Sequence, residues 1–312
     1  MGKHETSIYR KVIITFTVIL LGVLILVGAV VNRFCMSFIK EQRITYNTQV
    51  LGEVEYEFKE LYMQMNQLLT SLGEISYTAP LDESTFQKIK ADVEFEDSIQ
   101  NMVYLNGFNN FCEGVLFYDS EEELHYVGTG PLTKGYSFSD DEYFSGITTE
   151  MSYCAVIGPM PEQYKPEHIQ KNTVVGFSKR KMGKQVEGSL PPFVMVAVKF
   201  NKIEEMLDKL LSTNTGFFLM DQTGALLDSA SLSSLNWSDE TLNEAKKKIL
   251  KNQEHTQTIS KDGILLTSIR LNNYGWILSV ADSEEVLFKD INHLTRTVEL
   301  LIGIVGSLGV LA

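Results

Sequence analysis

Residues 12–31 read VIITFTVILLGVLILVGAVV, twenty positions without a charge. An α-helix rises ~1.5 Å per residue, so this run reaches roughly 30 Å, the thickness of a bilayer's hydrocarbon core. A cleaved signal peptide is the competing reading. Its apolar region is usually ~7–15 residues long and ends at a small-residue cleavage site. Here Asn32-Arg33-Phe34-Cys35 follows instead. The run therefore predicts a membrane span, and the rest of the chain must be arranged around it.

A second apolar run closes the chain. Residues 298–312, VELLIGIVGSLGVLA, hold one charge. At helical rise they cover about 22 Å, too short to cross, and no basic flank follows. The expectation is a second span truncated at its C-terminus; the alternative is a short tail helix. Lys3, Arg10 and Lys11 precede the first span, and Arg33, Lys40 and Arg43 follow it. These basic counts tie, so they do not orient the chain. A short internal tail with a long exported loop is the commoner arrangement. The region between the spans is therefore expected outside the cell.

After the first span comes the clearest periodicity in the chain. Leu51, Val54, Phe58, Leu61, Met65, Leu68, Leu72 and Ile75 alternate steps of three and four. This is a heptad seam, and it predicts one long helix broken before Pro80. Such a seam either pairs with a second copy or packs along the protein's own body. A homodimer through this stalk helix is the expectation taken here.

The remainder reads as strands, turns and short helices, and it repeats. Gly114-Val-Leu-Phe-Tyr-Asp119, a polar turn and Leu124–Val127 make a hairpin. About a hundred residues on, Gly216-Phe-Phe-Leu-Met-Asp221, a turn at Gln222–Gly224 and Ala225–Asp228 do the same. A strand at Pro192–Phe200 runs into a helix with Asn201 as its expected cap. Another, at Tyr274–Ala281, runs into Asp282-Ser-Glu-Glu-Val-Leu287. Hairpins are expected to turn near Met182-Gly183 and Asp262-Gly263. Two copies of one small α+β unit follow from this.

Span, stalk, two tandem antiparallel-sheet units and second span together resemble the double Cache sensor receptors of bacteria. Their units are PAS-like in fold. Phe217-Phe-Leu-Met-Asp-Gln-Thr-Gly224 and Tyr274-Gly-Trp-Ile-Leu-Ser-Val280 are similar to the family's membrane-proximal unit, and Ile157-Gly-Pro-Met-Pro161 fits its distal one. The resemblance implies an α+β fold with these divisions: a cytoplasmic tail at 1–11, a span at 12–31, a stalk helix at 36–79 and a membrane-distal Cache unit at 80–200. A membrane-proximal unit at 201–283, a connecting helix at 284–297 and the truncated span at 298–312 complete it.

Chemistry is sparse. The five histidines and three cysteines show no metal-ligand spacing, and no nucleophile elbow or phosphate loop is present. No catalytic residue, metal or cofactor is expected. Cys112 and Cys154 both fall in the distal unit, either bridged or as two separate thiols. The net charge of −13 argues against nucleic acid. Nearly all of the excess lies between residues 82 and 150, with 15 acidic and 3 basic residues.

The resemblance places a ligand behind the distal sheet. Amino-acid-binding members of the family carry an Arg and an aromatic pair there. Phe138-Ser-Asp-Asp-Glu-Tyr-Phe144 keeps the pair but has acids in place of the Arg. That argues against an amino acid, whose carboxylate Arg would clamp. Phe117, Tyr126, Asp141, Tyr143, Phe144 and Tyr153 are the candidate ligand contacts. The expected function is the extracellular input module of a transmembrane receptor in a bacterial plasma membrane, binding a small molecule or a surface partner. The expected output is a two-component sensor histidine kinase, of the kind found in Gram-positive bacteria, lying beyond these residues. A diguanylate cyclase, a chemoreceptor, an AraC-type regulator or a tethered binding protein without an output are the alternatives.

Overall fold

The apolar run and the heptad segment form one continuous helix, α1 (Lys3–Gly73). The structure is a computed structural model that describes residues 3–75, 85–118, 124–128, 155–159, 174–180, 192–210, 215–228, 239–261 and 263–311. No proline interrupts α1, and it ends ahead of Pro80, where a helix could not continue. Among the described residues it is the one helix long and apolar enough to cross a membrane. Its second half carries the seam.

Two five-stranded antiparallel sheets stack along α1. α2 (Thr85–Leu105) leads into β1 (Cys112–Tyr118), β2 (Leu124–Gly128), β3 (Ala155–Pro159), β4 (Val174–Arg180) and β5 (Phe193–Lys199). α3 (Asn201–Leu207) and a 3-10 turn then connect to β6 (Thr215–Asp221) and β7 (Leu226–Asp228). α4 (Asp239–Lys251), β8 (Thr256–Lys261), β9 (Ile264–Leu271) and β10 (Trp276–Ser283) complete the second unit. α5 (Glu284–Leu287) and α6 (Lys289–Leu311) close the chain. Strand order is β2-β1-β5-β4-β3 in the distal sheet and β7-β6-β10-β9-β8 in the proximal one. The two orders correspond strand for strand, so the repeat read from the phrases is a repeat of topology.

The seam residues from Leu51 to Leu72 are 0–4% exposed and join one core with Phe117, Phe177, Val196, Phe217 and Trp276. α1 is thus the common wall of both sheets. The seam is spent on the protein's own body, which leaves that stripe closed to a second copy. Two hydrophobic surfaces cannot both claim the same stripe.

Turn chemistry follows residue type. In the β6–β7 hairpin the Asp221 carboxylate accepts from Thr223 N, Thr223 Oγ1 and Ala225 N at 2.7–2.9 Å. Gly224 there takes φ +87°, and Gly263 takes φ +76° in the β8–β9 turn, where a side chain would be strained. The tip near Met182-Gly183 lies outside the described residues. Asn201 does not cap α3. The cap position is Phe200, in helical conformation and without a side-chain bond, because the chain turns into the helix one residue early. In the second unit Ser283 caps α5, its Oγ accepting from Val286 N at 3.4 Å.

Candidate functional site

Alternate residues of a strand face opposite sides of its sheet, so register sorts the distal strands into two faces. Phe117 pairs with Val194 and His125, and its ring meets Phe95 of α2 edge-on at 5.2 Å. It belongs to the helix-side core. Tyr126 pairs with Leu116 and lies on the other, outer face. Asp141, Tyr143, Phe144 and Tyr153 lie outside the described residues.

The outer face is built from Leu116 and Tyr118 of β1, Tyr126 of β2, Gly176 and Ser178 of β4, and Phe193 and Met195 of β5. Tyr118 stacks on Phe193, with centroids 5.3 Å apart and planes at 19°. The Tyr126 ring lies flat across Gly114 and Gly128. A Cβ on either glycine would come within 2.5 Å or 2.4 Å of it, which explains the glycine that opens the repeated phrase. Burial, then the charges of Glu113 and Cys112, push the Tyr126 phenol up to about 12. It stays a neutral hydrogen-bonding group.

The proximal sheet supplies a control for this face. Leu116, Met195 and Ser178 form one register row across β1, β5 and β4, and Phe218, Ser279 and Ser268 form the matching row across β6, β10 and β9. In the proximal sheet Ser279 donates to Ser268 at 2.9 Å. In the distal sheet Met195 stands at the Ser279 position. Among the described residues the Ser178 hydroxyl, at 0% exposure, has no partner. One row along, Gly176 occupies the place of Leu266. The proximal outer face is filled by α4, whose Ile249 packs with Phe218, Met220 and Leu266. Thr267 Oγ1 also lacks a partner, but on the helix side of its sheet.

A buried hydroxyl without a partner costs about 1–3 kcal/mol, and such groups are rare in folded proteins. Here it shares a sheet face with Leu116, Met195, Tyr118 and Phe193, and Gly176 stands two residues along the same strand. That combination can hold a small ligand by its apolar surface and read it with one hydrogen bond.

The same strand faces the stalk on its other side. Phe177 meets Tyr274 edge-on at 5.9 Å, and Tyr274 meets Phe58 of α1 at 5.0 Å. The buried Tyr274 hydroxyl donates to the Phe58 carbonyl at 2.7 Å. Lys179 reaches Thr70 and Asn66 of α1 at 2.7 and 3.3 Å. At the base, Asp282 closes β10 by accepting from Arg43 at 2.6 and 2.9 Å and from Asn47 at 2.7 Å. Lys40 holds Glu284 at 2.9 Å and also bonds Ser260. Lys40, Arg43 and Asn47 lie on one face of α1, so the helix is clamped where the chain turns toward α6.

Cys112 is a free thiol, and Cys154 lies outside the described residues. Among the described residues no cluster of His, Cys, Asp or Glu could hold a metal.

No protein-family model matches this sequence, and neither does any curated protein. Solved structures do match the fold. The sensory domain of the Campylobacter jejuni chemoreceptor Tlp3 (CcmL) is 12% identical with a TM-score of 0.55, covering 82% of this chain and 99% of that one. The Tlp3 ligand-binding domain in complex with L-valine is 11% identical, TM-score 0.55, over 81% and 98%. The extracellular domain assigned to a histidine kinase, vpHK1S-Z8, is 12% identical, TM-score 0.54, over 81% and 96%. This chain shares the fold of these domains: a long N-terminal helix followed by antiparallel sheets.

Proposed function

We propose that this chain is the extracellular input of a transmembrane signalling receptor of the double Cache type, and that a small molecule binds the outer face of the distal sheet. The Ser178 hydroxyl carries this reading. It is unmet in the distal sheet, while its counterpart Ser268 is satisfied by Ser279. α1 sets the span, and the neighbours that share the fold are receptor sensory domains.

The ligand biases two arrangements of β4 against α1 through Phe177–Tyr274–Phe58 and through Lys179. It can do so only by its differential affinity for them. The Arg43–Asp282 and Lys40–Glu284 clamps pass the movement to α6 and a second span. We favour a histidine kinase as the output, since vpHK1S-Z8 shares the fold; the Tlp3 match favours a chemoreceptor as the second reading. A homodimer would use the side of α1 opposite the buried seam. There Phe38, Thr45, Gln49, Gly52, Tyr56, Lys59 and Met63 repeat at heptad spacing, and Phe38, Tyr56 and Met63 are exposed.

Thermal unfolding of the full chain in detergent, against a panel of amino acids, amines and carboxylates, tests the reading. A ligand at a hundred times its Kd adds ~2.7 kcal/mol of stability. A stabilising ligand that crosslinks to the proximal sheet, and not to β4 or β5, would contradict it.

A further inference from the structure

The apolar run of α1 does not meet α6 flush. Between them lies a crevice of about 480 Å³, lined by Leu24, Gly28 and Asn32 on α1 and by Asp290, Leu294 and Val298 on α6. It runs the length of roughly three helical turns. Gly28 leaves it open: a Cβ built there meets nothing within 4 Å. At one end stand Asn32 and Asp290. Among the described residues Asn32 Oδ1 is enclosed without a hydrogen-bond partner, and Asp290 lines the same end. Nearby Thr295 spends its hydroxyl on the Ile291 carbonyl at 2.9 Å.

We propose that this crevice binds a single-chain amphiphile drawn from the membrane, with its hydrocarbon tail between α1 and α6 and a hydroxyl or ammonium head at Asn32 and Asp290. The inference rests on reading residues 12–31 as a membrane span. In a bilayer the medium around that span is acyl chain, so an apolar gap opening there is filled by lipid rather than water. The unmet Asn32 oxygen and the Asp290 charge favour a head that donates, and Asp290 disfavours a carboxylate head. An occupant that wedges α1 from α6 acts directly on the segment that carries the signal inward. The receptor would thus read the membrane as well as the outer medium.

The full chain in lipid nanodiscs is photolabelled with diazirine-tagged hexadecylamine, hexadecanol and hexadecanoic acid, and the labelled peptides are mapped. The amine and the alcohol are expected to mark 24–35 and 290–298, and the acid only weakly. Gly28→Leu fills the gap and lowers that labelling roughly tenfold, the equivalent of two methylenes of lost burial. Asn32→Leu lowers it roughly fivefold. Gly22→Leu, also open to a side chain but outside the crevice, leaves labelling unchanged. Equal labelling by all three heads, or labelling indifferent to Gly28→Leu, would overturn the proposal and leave the span intact. No labelling anywhere on α1 would overturn the span itself. A second α1 crosslinked into the gap would replace the amphiphile with another copy of the chain.

Discussion

Arg43 and Asp282, 239 residues apart in sequence, meet in a two-pronged ion pair with N–O distances of 2.6 and 2.9 Å. Asp282 is 3% exposed, so the pair is closed off from water on one side. Hydrogen bonding to Asp282 outweighs the burial that would lower the Arg43 pKa, and the guanidinium stays charged. The contact ties the root of the stalk to the last residues of the second sheet, so it fixes α1 and α6 relative to each other.

Asp282→Asn should cost about 2–4 kcal/mol, because it leaves a half-buried guanidinium short of its carboxylate. Arg43→Met with Asp282→Leu should restore most of that. Chemical denaturation of the native chain, Asp282→Asn and the double variant measures the differences. A double variant no better than Asp282→Asn would show that the site matters for packing rather than for charge.

The second clamp gives a pH dependence. Burial pushes the Glu284 carboxyl up, but hydrogen bonds from Lys40 and Ser260 and the Lys40 charge outweigh it and hold it below 4.5. A carboxyl depressed on folding adds stability that is full above its unfolded value and lost as pH falls through its folded one. Stability should therefore drop below about pH 4.5 in the native chain and drop less in Lys40→Met. Melting temperatures between pH 6 and pH 3 decide this.

Tyr274→Phe removes a buried hydroxyl that bonds α1 and keeps the ring stack with Phe58 and Phe177. We expect a loss of about 1 kcal/mol in stability. Ligand affinity should stay unchanged, since Tyr274 is on the helix side. In a receptor with its output attached, the signal should fall. An unchanged signal would remove Tyr274 from the coupling route.

Cys112 tests the packing at the start of β1, an inner strand of its sheet. Burial chiefly, with Glu113 adding, pushes its thiol up to about 12. At pH 8 its alkylation should be slower than that of an unperturbed thiol by roughly a thousandfold. It should become ordinary after denaturation, as read by peptide mapping of Cys112. Rapid alkylation in the folded chain would refute the packing there.

The architecture was legible where periodicity is long. The seam from Leu51 to Leu72 and the paired Gly-to-Asp phrases predicted the stalk and both sheets correctly. The partner of the seam was not legible, because a heptad stripe is equally apolar against a second helix or against the chain's own strands. The candidate site was less legible. Phe117 and Tyr126 were both named from the sequence, and only register shows that they face opposite sides of the sheet, because a strand buried on both faces loses the alternation that tells the faces apart. Ser178 was missed. Only the register that aligns it with Ser268 shows that one hydroxyl is served and the other is not. Asp282 was read as the start of a helix, and its tie to Arg43 has no local signal across 239 residues.

The most direct test compares two serines and one glycine. Ser268→Ala should destabilise the free protein by about 1 kcal/mol, whereas Ser178→Ala should leave it as stable or more so, having lost an unmet hydroxyl. Titration calorimetry with the ligand found by thermal unfolding should then show Ser268→Ala binding as the native chain does. Ser178→Ala should bind roughly fivefold more weakly, and Gly176→Leu, filled as its counterpart Leu266 is, should not bind. Native affinity in Gly176→Leu would contradict the account, and the ligand site would have to be sought away from the outer face of the distal sheet.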